Sequence, residues 1–303
     1  MDRRRLWRLL LASLAFAASA PPSLVGLPFA GLMLAARPRA AREWALVAGA
    51  GIPGAMLLVV GAHGLLDGLL GAYVVFVSAA FAVLALVAPA RFLRQACRAS
   101  VLGLGAALAL ARLVLGRDAS AMLHWEATRQ AGDLLDRMVQ VRPEAYAVFE
   151  PAVRFLSATT PALLVLQALA GLALAWQWHQ RLAPEPLGEP LAPFREFRFA
   201  DAWVWAVVAG LAVWTAPVFA GLKTAALNLL VVLGAFYLLR GAAVVVTFAG
   251  AAGLSPAALV GALVVSAVLA VPLLFIVPGL ATLGVTDTWL EFRRRLTRRP
   301  NVP

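Results

Sequence analysis

Residues that could perform chemistry are few in this sequence and lie far from one another. The histidines, His63, His124 and His179, show no H-x-x-x-H spacing, and Cys97 is the single cysteine, so no C-x-x-C pair exists. Zinc and similar metals need several such ligands together, usually at short spacing on one element. The nucleophile motif G-x-S-x-G is absent as well. We therefore expect no metal, no cofactor and no catalytic activity.

Two local patterns imitate functional motifs. Gly49–Gly54 reads G-x-G-x-x-G, but a dinucleotide site needs a strand before it and an acidic residue about 20 positions later. Here the pattern lies inside an apolar stretch and contains Pro53, so we interpret it as a place where helices pack closely. Asp133 and Asp136 form a carboxylate pair at i, i+3, and arginines beside them favour a solvated helix face over acid–base catalysis.

Polar residues inside apolar stretches are stronger candidates, because an unpaired polar group is costly in hydrocarbon. Asn228, Tyr237 and Arg240 lie in the apolar stretch 224–248, and we predict them as ligand-binding residues. Asn228 either hydrogen-bonds a substrate or joins another helix. Arg240 lies about 18 Å further along the helix axis. It either contacts the ligand or extends to the headgroups as an anchor.

The elements that position these residues are membrane helices. Hydrophobic residues make up 62% of the 303 residues and charged residues 14%, with a mean hydropathy of +0.86. Soluble domains carry about 25% charged residues, so that class is excluded. A helix crosses a bilayer with about 20 apolar residues. The sequence predicts an all-α polytopic transmembrane bundle of about eight or nine segments, some short or broken by proline, at 9–20, 23–36, 44–62, 69–88, 101–115, 155–176, 203–220, 224–248 and 256–283.

We expect a single integral membrane domain over 1–303, with three parts outside the bilayer. These are an amphipathic helical insertion at 117–154, a proline-rich connector at 177–202 and a basic tail at 288–303. The insertion contains a helix at 119–142, which is either a lid over an external cavity or a helix at the lipid interface. Its apolar stripe consists of Ala127, Ala131, Leu134, Leu135 and Met138. The tryptophans beside the connector predict an aromatic belt at the headgroups: Trp176, Trp178, Trp203 and Trp205.

Arginine clusters predict the orientation. They place 37–42, 89–100 and the connector in the cytoplasm and the more acidic 117–154 outside, in a multi-pass protein of the bacterial inner membrane. The first 20 residues imitate a secretory signal, but Pro21 follows the cleavage position, so we predict a retained helix. Simple alternation places the basic tail outside, against its charge. Either 256–283 is a hairpin broken at Pro272 and Pro278, which we favour, or an earlier segment does not cross the membrane.

Several short motifs resemble the YybS-like family of predicted bacterial membrane proteins, a domain of unknown function. In chain order they are Leu27–Phe29 before the basic turn at Arg37, Pro161–Leu166, Phe194–Arg198, Asn228, Leu239–Gly241 and Leu283–Arg293. The last is similar to a family ending of Gly, Asp, aromatic, acid, Phe and Arg. Where the family commonly has proline after the F-R-x-aromatic-R stretch, this chain has Phe199-Ala200-Asp201.

The resemblance implies a membrane protein without assigned catalysis, distantly similar to the S components of energy-coupling-factor vitamin transporters. Those proteins hold a small ligand among their helices and dock on a coupling protein through small residues of the first helix, here Ser13, Ala15, Ala17 and Ser19. We expect a protein that binds or helps to transport a small molecule. Its partners are then the bilayer, that ligand and another membrane protein, with no nucleic acid. The alternative is a non-transporting scaffold or envelope-associated protein.

Overall fold

A computed structural model describes residues 21–60, 64–87, 91–119, 146–255 and 271–293, with scattered residues between 121 and 136 and between 258 and 265. Across these residues every long regular element is a helix. In chain order the helices are α1 (Pro22–Ala35), α2 (Ala41–Val60), α3 (Leu65–Val87), α4 (Phe92–Leu115), α5 (Tyr146–Ala158), α6 (Thr160–Leu182), α7 (Trp203–Thr215), α8 (Lys223–Ala251) and α9 (Val271–Leu290).

Five helical stretches in the described part of the chain are long and apolar enough to cross a membrane. They are Ala41–Val60, Leu65–Val87, Phe92–Asp118, Thr160–Leu182 and Pro217–Ala251, and three shorter apolar helices accompany them at Pro22–Ala35, Trp203–Thr215 and Phe275–Leu290. The prediction of an all-α polytopic bundle is confirmed at this level. α1 begins directly after Pro21, and Pro217 opens a short 3-10 helix between α7 and α8, as expected. The predicted break of 256–283 at Pro272 and Pro278 was wrong, because α9 continues through both prolines without interruption.

The main difference in helix bounds is at α4. The predicted span starts at 101, whereas α4 starts at Phe92, inside the segment predicted as a cytoplasmic loop. Gln95, Ala96, Ala99 and Ser100 lie on one buried face of this first part of the helix. Packing against neighbouring helices therefore extends the helix through residues that a hydropathy pattern assigns to a loop.

The residue contacts divide the chain into two compact units, and the division falls inside the predicted connector. The first unit ends at Leu191 and the second begins at Ala192. The prediction that the whole chain forms a single membrane domain stays a prediction, and each unit is described by itself.

Close helix packing at glycines builds the first unit. A methyl group on Gly26 would lie 2.5 Å from the Ala50 carbonyl oxygen, and one on Gly171 would lie 2.6 Å from that of Leu24. Small residues let helix backbones approach in this way. Gly51 and Gly54 of the G-x-G-x-x-G pattern also face α1, within one continuous helix. The close-packing interpretation of that pattern is confirmed.

An aromatic cluster marks one end of the first unit. The ring centroid of Phe81 lies 5.9 Å from that of Phe92 and 5.7 Å from that of Trp176, and Phe29 lies 6.0 Å from Trp178. The loop after α1, the start of α4 and the end of α6 therefore share this end. Both predicted cytoplasmic arginine clusters, 37–42 and 91–98, lie there, as the predicted topology requires.

The connector is held on the end of α6 by side chains. Trp176 Nε1 donates a hydrogen bond to the Glu189 carbonyl (3.0 Å), Gln180 Nε2 donates to the Leu187 carbonyl (2.6 Å), and His179 Nε2 accepts one from the Leu187 N–H (3.0 Å). Trp176 is 1% exposed, so its assignment to a headgroup belt was wrong. Its indole closes the interior because the connector folds back over it. Trp203 and Trp205 are exposed, as a belt requires.

Helices α8 and α9 form the centre of the second unit and cross at a pair of glycines. A methyl group on Gly241 would overlap the Leu280 carbonyl, and one on Gly284 would overlap the Tyr237 carbonyl. Further along, the Phe248 ring lies 6.5 Å from the Phe292 ring. Gly241 thus lies beside Gly284, and Phe248 and Phe292, which follow them by seven and eight residues, also lie together. The two helices therefore run in the same direction.

Two sets of predicted residues lie outside the described residues. They are the docking face, Ser13, Ala15, Ala17 and Ser19, and the apolar stripe of the 119–142 helix. In the described part of that segment Arg129 pairs with Glu126 at 2.6 Å and with Asp133 at 3.2 Å. The hydrogen bonds that Arg129 donates to Glu126, together with the negative charge of Glu126, raise the pKa of Arg129. Arg129 and Asp133 are four residues apart, the spacing at which opposite charges on one helix face pair.

Candidate functional site

Arg240 lies in the middle of α8 and its side chain is completely buried. Its Nε donates a hydrogen bond to Asp287 Oδ2 at 3.0 Å, and its Nη2 donates to the Asp287 carbonyl oxygen at 3.1 Å. Its Nη1 donates to Asp201 Oδ1 at 2.6 Å. The guanidinium is therefore shared between α9 and the segment just before α7.

Three further charged residues extend this arrangement outward. Arg293 Nη2 donates to Asp287 Oδ2 at 2.8 Å, so that one oxygen accepts from two guanidinium groups. Arg198 lies 3.9 Å from Asp201 and 3.6 Å from Glu291. The charge network thus comprises Arg198, Asp201, Arg240, Asp287, Glu291 and Arg293. Its three positive charges balance its three negative charges.

The charge network runs from the interior of the second unit to its surface. The exposed fractions of the side chains are 0% for Arg240, 2% for Asp287, 13% for Arg293, 35% for Arg198, 37% for Glu291 and 49% for Asp201. Burial strengthens each interaction at the inner end, because little solvent screens it. The outer pairs are wet and contribute little stability.

Local helix geometry explains why Arg240 and Asp287 meet. Arg240 directly precedes Gly241, and Asp287 follows Gly284 by three residues, about one helical turn. The glycine crossing brings the two backbones close enough for the guanidinium to reach both the carboxylate and the carbonyl of Asp287. A larger residue at either glycine would separate them.

The segment before α7 covers the network with aromatic rings and main-chain carbonyls. The Phe199 ring lies 5.7 Å from Arg240 Cζ and 4.9 Å from the Tyr237 ring. Arg293 Nη1 donates to the carbonyl oxygens of Arg195 and Phe197, both at 3.0 Å. These contacts fix the Phe194–Arg198 stretch against the end of α9.

Three buried oxygen atoms beside the network lack a full set of partners. Asp287 Oδ1 has no hydrogen-bond partner among the described residues. The hydroxyls of Tyr237 and Thr288 lie next to each other, and neither has another partner there. Buried polar atoms are nearly always hydrogen-bonded, so such atoms need an explanation. They mark the part of the network that still has hydrogen-bonding capacity to offer.

The predicted site residues divide into two places. Tyr237 and Arg240 lie at the network. Asn228 is about three turns earlier in α8, where its Nδ2 donates to the Thr224 carbonyl at 2.8 Å. Asn228 therefore does not share a site with Arg240, and its role in ligand binding stays a prediction. The alternative that Arg240 extends to the headgroups was wrong, because its side chain is completely buried and pairs with Asp287 in the interior.

Sequence reasoning did not select Asp201, Asp287 or Arg293 as site residues. All of the network lies within or beside the motifs that carried the family resemblance: Phe194–Arg198, Leu239–Gly241 and Leu283–Arg293. Asp201 lies at the position where the chain departs from the expected pattern. The signal was thus present in the motifs, but nothing in one sequence says that they converge.

The network's charged and hydroxyl groups can bind a polar group and pair with one another. Within the described residues no three His, Cys, Asp or Glu side chains come together as a metal site would require. Both acids on Arg240 are already neutralised by guanidinium groups. The network can hold a hydrogen-bonding or charged group at its inner end, or hold its own helices together.

Comparison with known proteins gives one family match. The family described as "Predicted membrane protein (DUF2232)" matches residues 51–288, which is well over half of the chain. The match includes Asp201, Arg240 and Asp287. No curated protein and no solved structure shows significant similarity.

Proposed function

Because the chain belongs to the DUF2232 family of predicted membrane proteins, we propose a function that suits a multi-pass membrane protein. It binds a small molecule, or helps to move one across the bacterial cytoplasmic membrane, and it catalyses no reaction. The polar part of the site is the inner end of the charge network, formed by Arg240, Asp287 and the hydroxyls of Tyr237 and Thr288.

The buried carboxylate of Asp287 carries this proposal. Each buried ion costs several kcal/mol of desolvation, and well-packed apolar side chains often hold helices together as well or better. Ionisable residues within membrane helices commonly mark substrate or ion pathways. Asp287 Oδ1 still has a free acceptor position in the described structure. A ligand with an amine, amide or hydroxyl donor matches that position.

We also propose that the protein acts in the manner of a transporter S component, and this proposal rests on the resemblance in the sequence. It requires a partner at the first helix, through Ser13, Ala15, Ala17 and Ser19.

Among the described residues one apolar cavity of about 160 Å³ lies between α3 and α4, lined by residues such as Leu69, Ala72 and Ala111. A lipid tail or another apolar molecule suits this cavity better than a polar one, and the cavity belongs to the first unit alone.

A second candidate is a scaffold without a ligand. It is favoured by the observation that Arg240 makes three hydrogen bonds within the chain and that every charge of the network has an opposite partner. In that case the network specifies how α8, α9 and the connector fit together, and nothing else binds.

A paired apolar variant separates the two functions. Replacing both buried ions, in R240L/D287L, should leave the fold intact, because removing a buried pair is often neutral or stabilising. The matched control is T247V/T282V, which makes the same two helices more apolar away from the network. Each protein is extracted in detergent, its melting curve is recorded, and bound small molecules are identified by mass spectrometry.

On the binding proposal, wild type and T247V/T282V retain the same small molecule and R240L/D287L loses it while melting as a folded protein. If R240L/D287L is folded and still retains the molecule, the scaffold is the better account. The same holds if none of the three proteins retains a small molecule whose addition raises the melting temperature of the wild type.

A further inference from the structure

Arginines form a stripe at the start of α4, in the first unit and far from the charge network in sequence. Arg91, Arg94 and Arg98 follow one another at i, i+3 and i+7, so they share a face of the helix, and all three are exposed. The opposite face, with Gln95, Ala96 and Ala99, is buried. Among the described residues none of the three arginines pairs with an acid.

The same stripe becomes apolar one turn further into the membrane span. Val101 and Leu102 follow Arg98 by three and four residues and are 66% and 56% exposed. Gly105 continues the face, and a side chain there would meet no other atom within 4 Å. The face thus presents three guanidinium groups and, beside them, an open apolar strip within a candidate span.

The surroundings add positive charge rather than neutralising it. Arg37, Arg39 and Arg42 follow α1 at the same end of the unit and are exposed. The nearby carboxylate of Glu43 accepts hydrogen bonds from the N–H groups of Arg39 and Ala40, at 2.7 and 3.3 Å, which fixes it at the start of α2. Like charges one helical turn apart destabilise a helix, so an external anion would relieve this end of the unit.

We propose that this stripe binds an anionic phospholipid of the surrounding bilayer. The phosphate accepts hydrogen bonds from the guanidinium groups of Arg91, Arg94 and Arg98, which match phosphate geometry well. One acyl chain lies along Val101, Leu102 and Gly105. Two features select this ligand: positive charge without an acidic partner among the described residues at the start of a candidate span, and an exposed apolar strip next to it on the same helix face. Zwitterionic lipids match the second feature but not the first.

The test compares two double variants on one helix. R94Q/R98Q removes two charges from the stripe, and R112Q/R117Q removes two exposed charges near the other end of α4. The full-length protein is placed in nanodiscs of phosphatidylcholine alone or with phosphatidylglycerol. Lipids retained on transfer to detergent are counted by native mass spectrometry, and melting temperature is measured in both compositions.

Wild type and R112Q/R117Q should retain phosphatidylglycerol in preference to phosphatidylcholine and melt at higher temperature in its presence. In R94Q/R98Q the ratio of retained phosphatidylglycerol to phosphatidylcholine should fall about fivefold for each arginine removed. In phosphatidylcholine alone, this variant should melt at the same temperature as wild type. If the double variant is not recovered, R98Q alone should lose about fivefold. An unchanged preference in R94Q/R98Q, an equal loss in R112Q/R117Q, or no preference in wild type would overturn the proposal.

Discussion

Arg240 bonds its two carboxylate partners in very different surroundings. The Asp201 pair is the shorter, at 2.6 Å against 3.0 Å for Asp287. Asp201 is nevertheless half exposed, so water screens that pair and competes for its hydrogen bonds. Asp287 is buried and also receives Arg293. At the scale of residues, burial decides the contribution of each pair more than distance does.

Substitutions of Arg240 and Asp201 should therefore differ strongly in effect. Arg240→Met leaves Asp287 buried with a single guanidinium partner, so we expect a loss of about 3–5 kcal/mol in the free energy of unfolding. Asp201→Asn removes a half-exposed charge and should cost about 1 kcal/mol or less. Thermal melts of both variants in the same detergent measure the difference. Equal losses would show that the Asp201 pair, despite its exposure, contributes as much as the Asp287 pair.

The identity of the polar residues was readable from the sequence, and their pairing was not. Arg240 and Tyr237 stood out because they interrupt an apolar stretch. Their partners lie far away along the chain, with Asp201 39 residues and Asp287 47 residues from Arg240. Only the packing of α8 against α9 brings these positions together. One sequence carries no direct signal for such distant contacts.

Helix crossings set the arrangement at the scale of elements. Gly241 and Gly284 each face a backbone carbonyl of the other helix, which has no flexible end that could move aside. Gly250, further along α8, has no atom within 4 Å of where its side chain would begin. The same substitution should therefore have opposite consequences at two positions of one helix.

Gly241→Ala should lower the free energy of unfolding of the second unit by about 1–3 kcal/mol, because the added methyl group overpacks a close helix contact. Gly250→Ala should be neutral or stabilising by up to about 1 kcal/mol, since alanine favours a helix more than glycine. Differential melting of the two variants in one detergent tests this pair. A Gly241→Ala protein that melts like Gly250→Ala would mean that α8 and α9 do not cross at the glycines.

The connector contact on α6 makes a second prediction for elements. Gln180→Ala removes the hydrogen bond to the Leu187 carbonyl, which is worth about 1 kcal/mol. Amide exchange of residues 185–191 should then become about fivefold faster, because local opening becomes easier. Gln177→Ala is the control and should leave exchange unchanged, because Gln177 lies on the same helix end and makes no hydrogen bond to the described connector residues. Equal exchange in both variants would argue against this attachment.

Helix positions were predictable because apolar length is a strong signal, whereas helix ends were less so. The predicted spans at 23–36, 44–62 and 224–248 agree with α1, α2 and α8 to within a few residues. The start of α4 was missed because Arg94, Gln95 and Arg98 lower the local hydropathy. Their alternation between exposed and buried faces is a helical signal that a search for uniformly apolar runs overlooks.

For the whole molecule, the arginine distribution still predicts the orientation. Residues 37–42 and 91–98 share one end of the first unit, and we expect this end to face the cytoplasm. Single cysteines at Arg39 and Arg129, in a Cys97→Ser background, test this in intact cells. An impermeant thiol reagent should label position 129 and leave position 39 unlabelled until the cells are opened. The reverse pattern would invert the proposed topology.

The hydrogen bonds from Arg293 to Arg195 and Phe197 have a consequence for how the second unit enters the bilayer. A guanidinium reaches only a few ångströms, so the chain enters and leaves this unit on the same side. We therefore expect an even number of membrane crossings between these two points. A segment with an even number of crossings can be inserted as complete helical hairpins, and the orientation of the helices before it does not change. Topology reporters fused before Arg195 and after Arg293 should consequently report the same side of the membrane.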